Sequence, residues 1–183
     1  YIKFNADVKN KDVVLVQTLH PANNAILEII IAAYTLKDLK AKSITLVTPY
    51  LAYMRQDKRF NPGEAVTSKI IGDLFRVFDM LITVDPHLHR YNSLNDVFKI
   101  KTKKLTANKL FENYIKAHCK EPVIIGPDSE SFQWAKKIAK DIKAQVTILK
   151  KERISPKKVA ISLTGNIDIK GKNIIIIDDV IST

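Results

Sequence analysis

Five short stretches concentrate residues able to do chemistry. Pro49-Tyr50-Leu51-Ala52-Tyr53-Met54-Arg55-Gln56-Asp57-Lys58-Arg59 sets cations, an amide and tyrosines close together. Such a loop can pack an aromatic ring beside adenine while its cations reach phosphates, although a solvated basic loop has the same composition. Thr83-Val84-Asp85-Pro86-His87-Leu88-His89-Arg90 carries two imidazoles at i and i+2, one of which can meet a divalent ion or phosphate oxygens. Gly126-Pro127-Asp128 offers a carboxylate that either ligates a metal or caps a following helix. Lys151 and Arg153 lie on one side of an extended segment and can face one phosphate chain together; an exposed charged hairpin is the plainer alternative. Asp178 and Asp179 close a run of isoleucines, Ile174 to Ile177, and lead to Ser182-Thr183. Paired carboxylates there can hold a sugar diol while backbone N–H groups beyond them hold a phosphate, whereas Asp179 could simply cap a helix. Two carboxylates beside so apolar a strand are costly to desolvate, which favours function.

The elements that must position these groups alternate between strand and helix. Apolar runs predict strands over 12–17, 43–48, 80–85, 97–100, 123–125, 146–149, 159–163 and 173–178. Helical spacing predicts helices from an N-cap at Asn23-Asn24 and over 68–77, 105–115 and 131–142. In the first, Ile26, Leu27, Ile30, Ile31, Ala33, Tyr34 and Leu39 form the periodic set. The alternation argues for an α/β fold with largely parallel sheets, and wholly apolar strands read as buried on both faces. Every chemistry-bearing stretch follows a predicted strand, where open α/β sheets place their ligands. A split near Thr106 yields two similar lobes, 1–106 and 107–183.

The motifs carry a resemblance. Residues 49–59 resemble the nucleotide loop of ribose-phosphate pyrophosphokinases, 83–90 that family's Val-Asp-x-His motif, Gly126-Pro127-Asp128 its Pro-Asp motif, and Lys151 with Arg153 its Lys-x-Arg pair. Residues 174–183 resemble the phosphoribosyl-diphosphate signature of type I phosphoribosyltransferase folds, and Ile154-Ser155-Pro156 the archaeal-type members. The resemblance implies two type I phosphoribosyltransferase-like lobes, each a mostly parallel sheet flanked by helices. It implies transfer of the β,γ-diphosphoryl group of ATP to ribose 5-phosphate, giving 5-phosphoribosyl 1-diphosphate and AMP for nucleotide biosynthesis. By correspondence Arg55, Gln56, Asp57, Lys58 and His89 bind ATP, and Lys151 and Arg153 are catalytic. Arg153, Asp178, Asp179, Ser182 and Thr183 bind ribose 5-phosphate, and His87 and Asp128 associate with Mg²⁺. The family's nucleotide site is completed across a subunit interface, so at least a homodimer is expected. The rivals are a catalytically silent regulatory homologue and a nucleobase phosphoribosyltransferase.

Composition narrows the field further. The chain has 183 residues, 46% of them hydrophobic, and a net charge of +11, which excludes a disordered polymer. No apolar run reaches the roughly 18 residues of a membrane span, so no membrane partner is expected. The lysines are spread along the chain, so no nucleic-acid partner is expected, and the cations of the motifs, Arg90 included, are expected to face ATP or pentose phosphate. The single Cys119 and the lack of an apolar leader at Tyr1 predict the cytoplasm. A start at Tyr1 and a stop just after the isoleucine run, without a covering helix, predict a part of a longer catalytic chain.

Overall fold

The computed structural model describes residues 1–129, 131–155, 158–165 and 167–180, with the backbone alone for 151–155 and 158–160. It divides into two compact units, Tyr1–Leu105 and Thr106–Thr183. Among the described residues no helix is long and apolar enough to cross a membrane.

The first unit contains β1 (Asp12–Val16), α1 (Ala22–Asp38), β2 (Ser43–Thr48), α2 (Thr67–Leu74), β3 (Met80–Val84) and β4 (Lys101–Leu105). Its four strands pair in parallel in the order β1-β2-β3-β4. Along β2 and β3, buried and half-buried residues alternate, so one sheet face is sealed and the other is partly open. The apolar runs predicted burial on both faces; β1 departs furthest, with Val14 and Val16 exposed on a strand that has one neighbour among the described residues. Phe75, Phe78 and Phe98 form the aromatic centre of the core, with ring centroids 5.5 and 5.8 Å from Phe75. Gly72 on α2 meets the Val97 backbone so closely that a Cβ would stand 2.4 Å from its carbonyl oxygen.

Two local readings change in this unit. The helix starts at Ala22, directly after Pro21, and Asn23 hydrogen-bonds the Tyr53 hydroxyl across the fold instead of capping. Its buried stripe is Ala25, Ile26, Ile29, Ala32, Ala33 and Leu36, while Leu27, Ile31 and Tyr34 are exposed. A helix apolar on several sides does not announce which side the sheet will cover. The strand expected over 97–100 lies at Lys101–Leu105 instead, where Met80 pairs with Lys101 and Val84 with Leu105. Val97 and Phe98 are core residues following a single 3₁₀ turn at Leu94–Asp96, closed by a Ser93–Asp96 capping box. Lysines are tolerated on β4 because it is an edge strand, where charge also discourages further pairing.

The second unit contains α3 (Asn108–His118), β5 (Pro122–Gly126), α4 (Phe132–Ile142), β6 (Gln145–Ser155), β7 (Lys158–Leu163) and β8 (Asn173–Ile176). The strand order is β7-β6-β5-β8, with β6 and β8 parallel to the central β5 and β7 antiparallel to β6. Ile115, Ile124, Ala135, Ile138, Ala139 and Ile177 make its core. A Cβ on Gly126 would approach Phe132 Cα to 3.0 Å, so glycine lets β5 meet the start of α4. β6 does not stop at Leu149. It runs through Ser155 antiparallel to β7, pairing Lys151 with Ile161 and Arg153 with Val159, because these bonds satisfy a backbone that a loop would leave open. On β8, Ile174 and Ile176 are exposed, contrary to the two-sided burial their apolarity predicted, since β8 has one neighbouring strand among the described residues.

Candidate functional site

In the first unit the site grows from the carboxyl ends of β2 and β3. Thr48 ends β2 and donates through Oγ1 to the Tyr50 carbonyl at 2.7 Å, which turns the chain. Leu51, Ala52 and Met54 are buried, anchoring the loop from beneath, while Arg55, Lys58 and Arg59 stand exposed. Gln56 is held by the first turn of α2: its carbonyl accepts from the Ser68 N–H at 3.3 Å and Oγ at 3.2 Å, and its Oε1 accepts from Thr67 Oγ1 at 2.7 Å. That last bond leaves the Gln56 NH₂ as the end that can donate to a ligand.

Asp57 does not present itself to a ligand. Its side chain is 1% exposed and accepts from Arg90 Nη1 at 2.7 Å. Arg90, expected beside phosphate, is therefore held against the loop, with its guanidinium carbon 5.5 Å from the Phe60 ring centre; Lys58 Nζ is 5.0 Å from the same ring. Arg59 donates from Nε to the Glu64 carbonyl at 2.7 Å. The Glu64 carboxylate accepts from the Asn61 side chain at 2.6 Å and from the N–H groups of Phe60 and Asn61, and these bonds, the Asn61 side chain foremost, hold its carboxyl below the usual range. Beyond β3, half-buried His87 and exposed His89 sit in one turn with ring centres 6.3 Å apart.

In the second unit, groups gather at the carboxyl end of the β5-centred sheet. Asp128 Oδ1 accepts from the Ser131 N–H at 2.9 Å and from its Oγ at 3.0 Å, so the carboxylate also closes the turn into α4. The Ile177 N–H donates to the Ile125 carbonyl at 3.0 Å, which carries the β8 pairing one step further and delivers Asp178 beside the exit of β5. Burial pushes the Asp178 carboxyl above its usual range, with the charges of Asp179 and Asp128 adding to the rise; the Asp179 N–H, donating at 2.9 Å, works against it. β6 is paired with β5 as far as Gly126 with Ile148, so Lys151 lies on the overhanging part of the strand, roughly 10 Å further along at strand spacing. Arg153 follows two residues later on the same overhang. Ser182 and Thr183 lie outside the described residues.

The residues expected to associate with metal fall one in each unit, His87 and Asp128. Among the described residues no three His, Cys, Asp or Glu side chains group to hold an ion. Either residue, each within its own unit, is of a type that can meet a Mg²⁺ which keeps its waters and takes its other oxygens from phosphates. Thr67, Ser68, Tyr91 and Glu64 had no site role in the sequence reading. Their partners lie across loops, and hydroxyl side chains carry no periodic signal.

A family model described as the N-terminal domain of ribose phosphate pyrophosphokinase matches residues 1–78, and one described as the phosphoribosyl transferase domain matches residues 93–183. A ribose-phosphate pyrophosphokinase of Saccharolobus solfataricus is 36% identical over all of this chain, which covers 63% of that relative. One from Methanobrevibacter smithii is 33% identical, again over the whole chain and 65% of the relative. The crystal structure of phosphoribosylpyrophosphate synthetase from Mycobacterium smegmatis superposes with a TM-score of 0.80 at 26% identity, over 96% of this chain and 57% of that one. The chain thus spans under two thirds of the length of these relatives.

Proposed function

Because this chain belongs to the ribose-phosphate pyrophosphokinase family, we propose that it carries out diphosphoryl transfer from ATP to ribose 5-phosphate. The anomeric hydroxyl oxygen attacks the β-phosphorus, the bond from that phosphorus to the α-bridging oxygen breaks, and AMP leaves as the hydroxyl proton is lost. The observation that carries this reading is the convergence of Asp128, the Lys151–Arg153 overhang and Asp178-Asp179 at one sheet end.

Little covalent work falls to the protein, so alignment and charge neutralisation must supply the rate. Arg55 and the Gln56 NH₂ hold ATP, Lys58 adds charge beside them, and His89 binds the nucleotide from the turn after β3. Asp57 serves from within the loop, through Arg90. Lys151 and Arg153, one strand face apart by two residues, meet the transferring phosphates and offset charge that develops there. Asp178 and Asp179 accept from ribose hydroxyls, and Ser182 and Thr183 begin the 5-phosphate cradle. His87, in the first unit, and Asp128, in the second, would each associate with phosphate-bound Mg²⁺, which would neutralise phosphate oxygens and polarise the β-phosphorus. A self-associated state, at least a dimer, completes the nucleotide site.

The test is AMP release by the full chain. Release that requires both ATP and ribose 5-phosphate is the expected result. Binding of both without release marks a silent homologue, and consumption of phosphoribosyl diphosphate with a nucleobase marks the other rival.

A further inference from the structure

The loop after β2 and the turn after β3 are joined by a set of polar contacts, and two consecutive residues make the join. Arg90 reaches 33 positions back to Asp57, and the Tyr91 hydroxyl reaches the Asp57 carbonyl at 3.3 Å and Ser68 Oγ at 2.8 Å. Ser68 itself donates to the Gln56 carbonyl, so Tyr91, Ser68 and Gln56 form one chain. The Asp57 carboxylate is almost wholly excluded from water, and its Oδ2 is buried with no hydrogen-bond partner among the described residues. A buried carboxylate with one oxygen unpaired depends heavily on the cation at the other. The Arg90 guanidinium is committed twice over, to Asp57 Oδ1 and to the face of Phe60.

We propose that Arg90 and Tyr91 are positioning residues for the nucleotide loop: they hold Arg55-Gln56-Asp57 from the turn that carries His87 and His89, and Arg90 acts through Asp57, not on the phosphates. The inference rests on the proposed function for the identity of the ligand. It makes the nucleotide loop and the histidine turn a single unit, so that disturbing either displaces the other.

The test uses the full chain, with ATP affinity measured at equilibrium and kinetics measured for both substrates. Arg90→Ala and Asp57→Asn should each weaken ATP binding by about tenfold, and the double variant by little more than the worse single, because both remove the same link. Arg90→Lys, which keeps the charge at Asp57 but loses the planar contact with Phe60, should recover only part of the loss. Tyr91→Phe, which preserves packing, should raise the ATP KM severalfold while kcat and the ribose 5-phosphate KM stay within about twofold. Losses that multiply to about a hundredfold in the double variant would mean that Arg90 touches phosphate directly and would overturn the inference. Unchanged ATP affinity in Tyr91→Phe and Arg90→Lys together with Arg90→Ala would overturn it equally. Wild-type chain that binds ATP but releases no AMP defeats the proposed reaction alone, and the affinity cycle still decides this inference.

Discussion

Gly72→Ala sets two energetic effects against each other at one position. Alanine is a better helix former than glycine by about 1 kcal/mol, so propensity alone predicts a more stable α2. The structure predicts the opposite. The new Cβ would lie 2.4 Å from the Val97 carbonyl oxygen and 3.1 Å from Val97 Cγ1. Carbon and carbonyl oxygen settle at about 3.3 Å, so helix and loop must part by roughly 0.9 Å. The obstructing atom is backbone, and Val97 and Phe98 are both buried, so no flexible side chain can yield. Overpacking typically costs about 1–3 kcal/mol; against an unyielding backbone atom the upper part, about 2–3 kcal/mol, applies, and subtracting the propensity gain leaves a net loss of about 1–2 kcal/mol. At about 2–4 °C per kcal/mol for a chain of this size, Tm should fall by about 2–8 °C. Because Thr67 and Ser68 of the same helix hold Gln56, the ATP KM should rise as well. Gly63→Ala is the control: its φ of +86° strains any side chain, but nothing lies within 4 Å, so it should lose stability without moving α2. A thermal melt in which Gly72→Ala matches or exceeds wild type would refute the packing argument.

Lys151→Ala should lower kcat by roughly 10²–10³, as removal of a donor to developing charge does; retention of turnover within about threefold of wild type would remove Lys151 from the mechanism. The double change His87→Ala and Asp128→Ala should shift the Mg²⁺ concentration needed for half-maximal activity upward, and an unchanged Mg²⁺ titration would end that assignment. Glu64 has a folded-state pKa below its unfolded value, so its contribution to the 59–64 turn is present above the unfolded pKa and lost as pH falls through the folded one. Glu64→Gln should therefore flatten the acid side of the stability profile below about pH 4, and identical acid melts for variant and wild type would contradict the hydrogen bonds drawn to that carboxylate.

The alternation of strand and helix was legible because hydrophobic periodicity is a local property: β2, α4 and β5 lie within a residue or so of where apolar spacing predicted them. The chemical types of the candidate site are local for a related reason. Arg55-Gln56, His87 with His89 and Asp178-Asp179 are compact stretches that each follow the end of one strand, and Lys151 with Arg153 lie together on the overhang of β6. Edges were harder to foresee. Strand β4 was misplaced because pairing with β3, not its own apolarity, selects Lys101–Leu105 as strand. Strand β6 was cut short because its later half is extended by β7, a partner that a run of charged residues does not announce.

Asp57 and Arg90 mark the boundary most sharply. As residue types, Arg90 reads as a group facing phosphate, and Asp57 as part of the ATP-binding loop, there to support it. Folding brings them together across 33 positions and seals Asp57 inside the loop, in an ion pair that neither local sequence announces. Local spacing decides which side chains share a strand end, because strand and helix periods repeat every few residues. Which of those side chains turns outward and which is spent on another loop depends on contacts between distant segments, and desolvation makes that choice only once the core has closed.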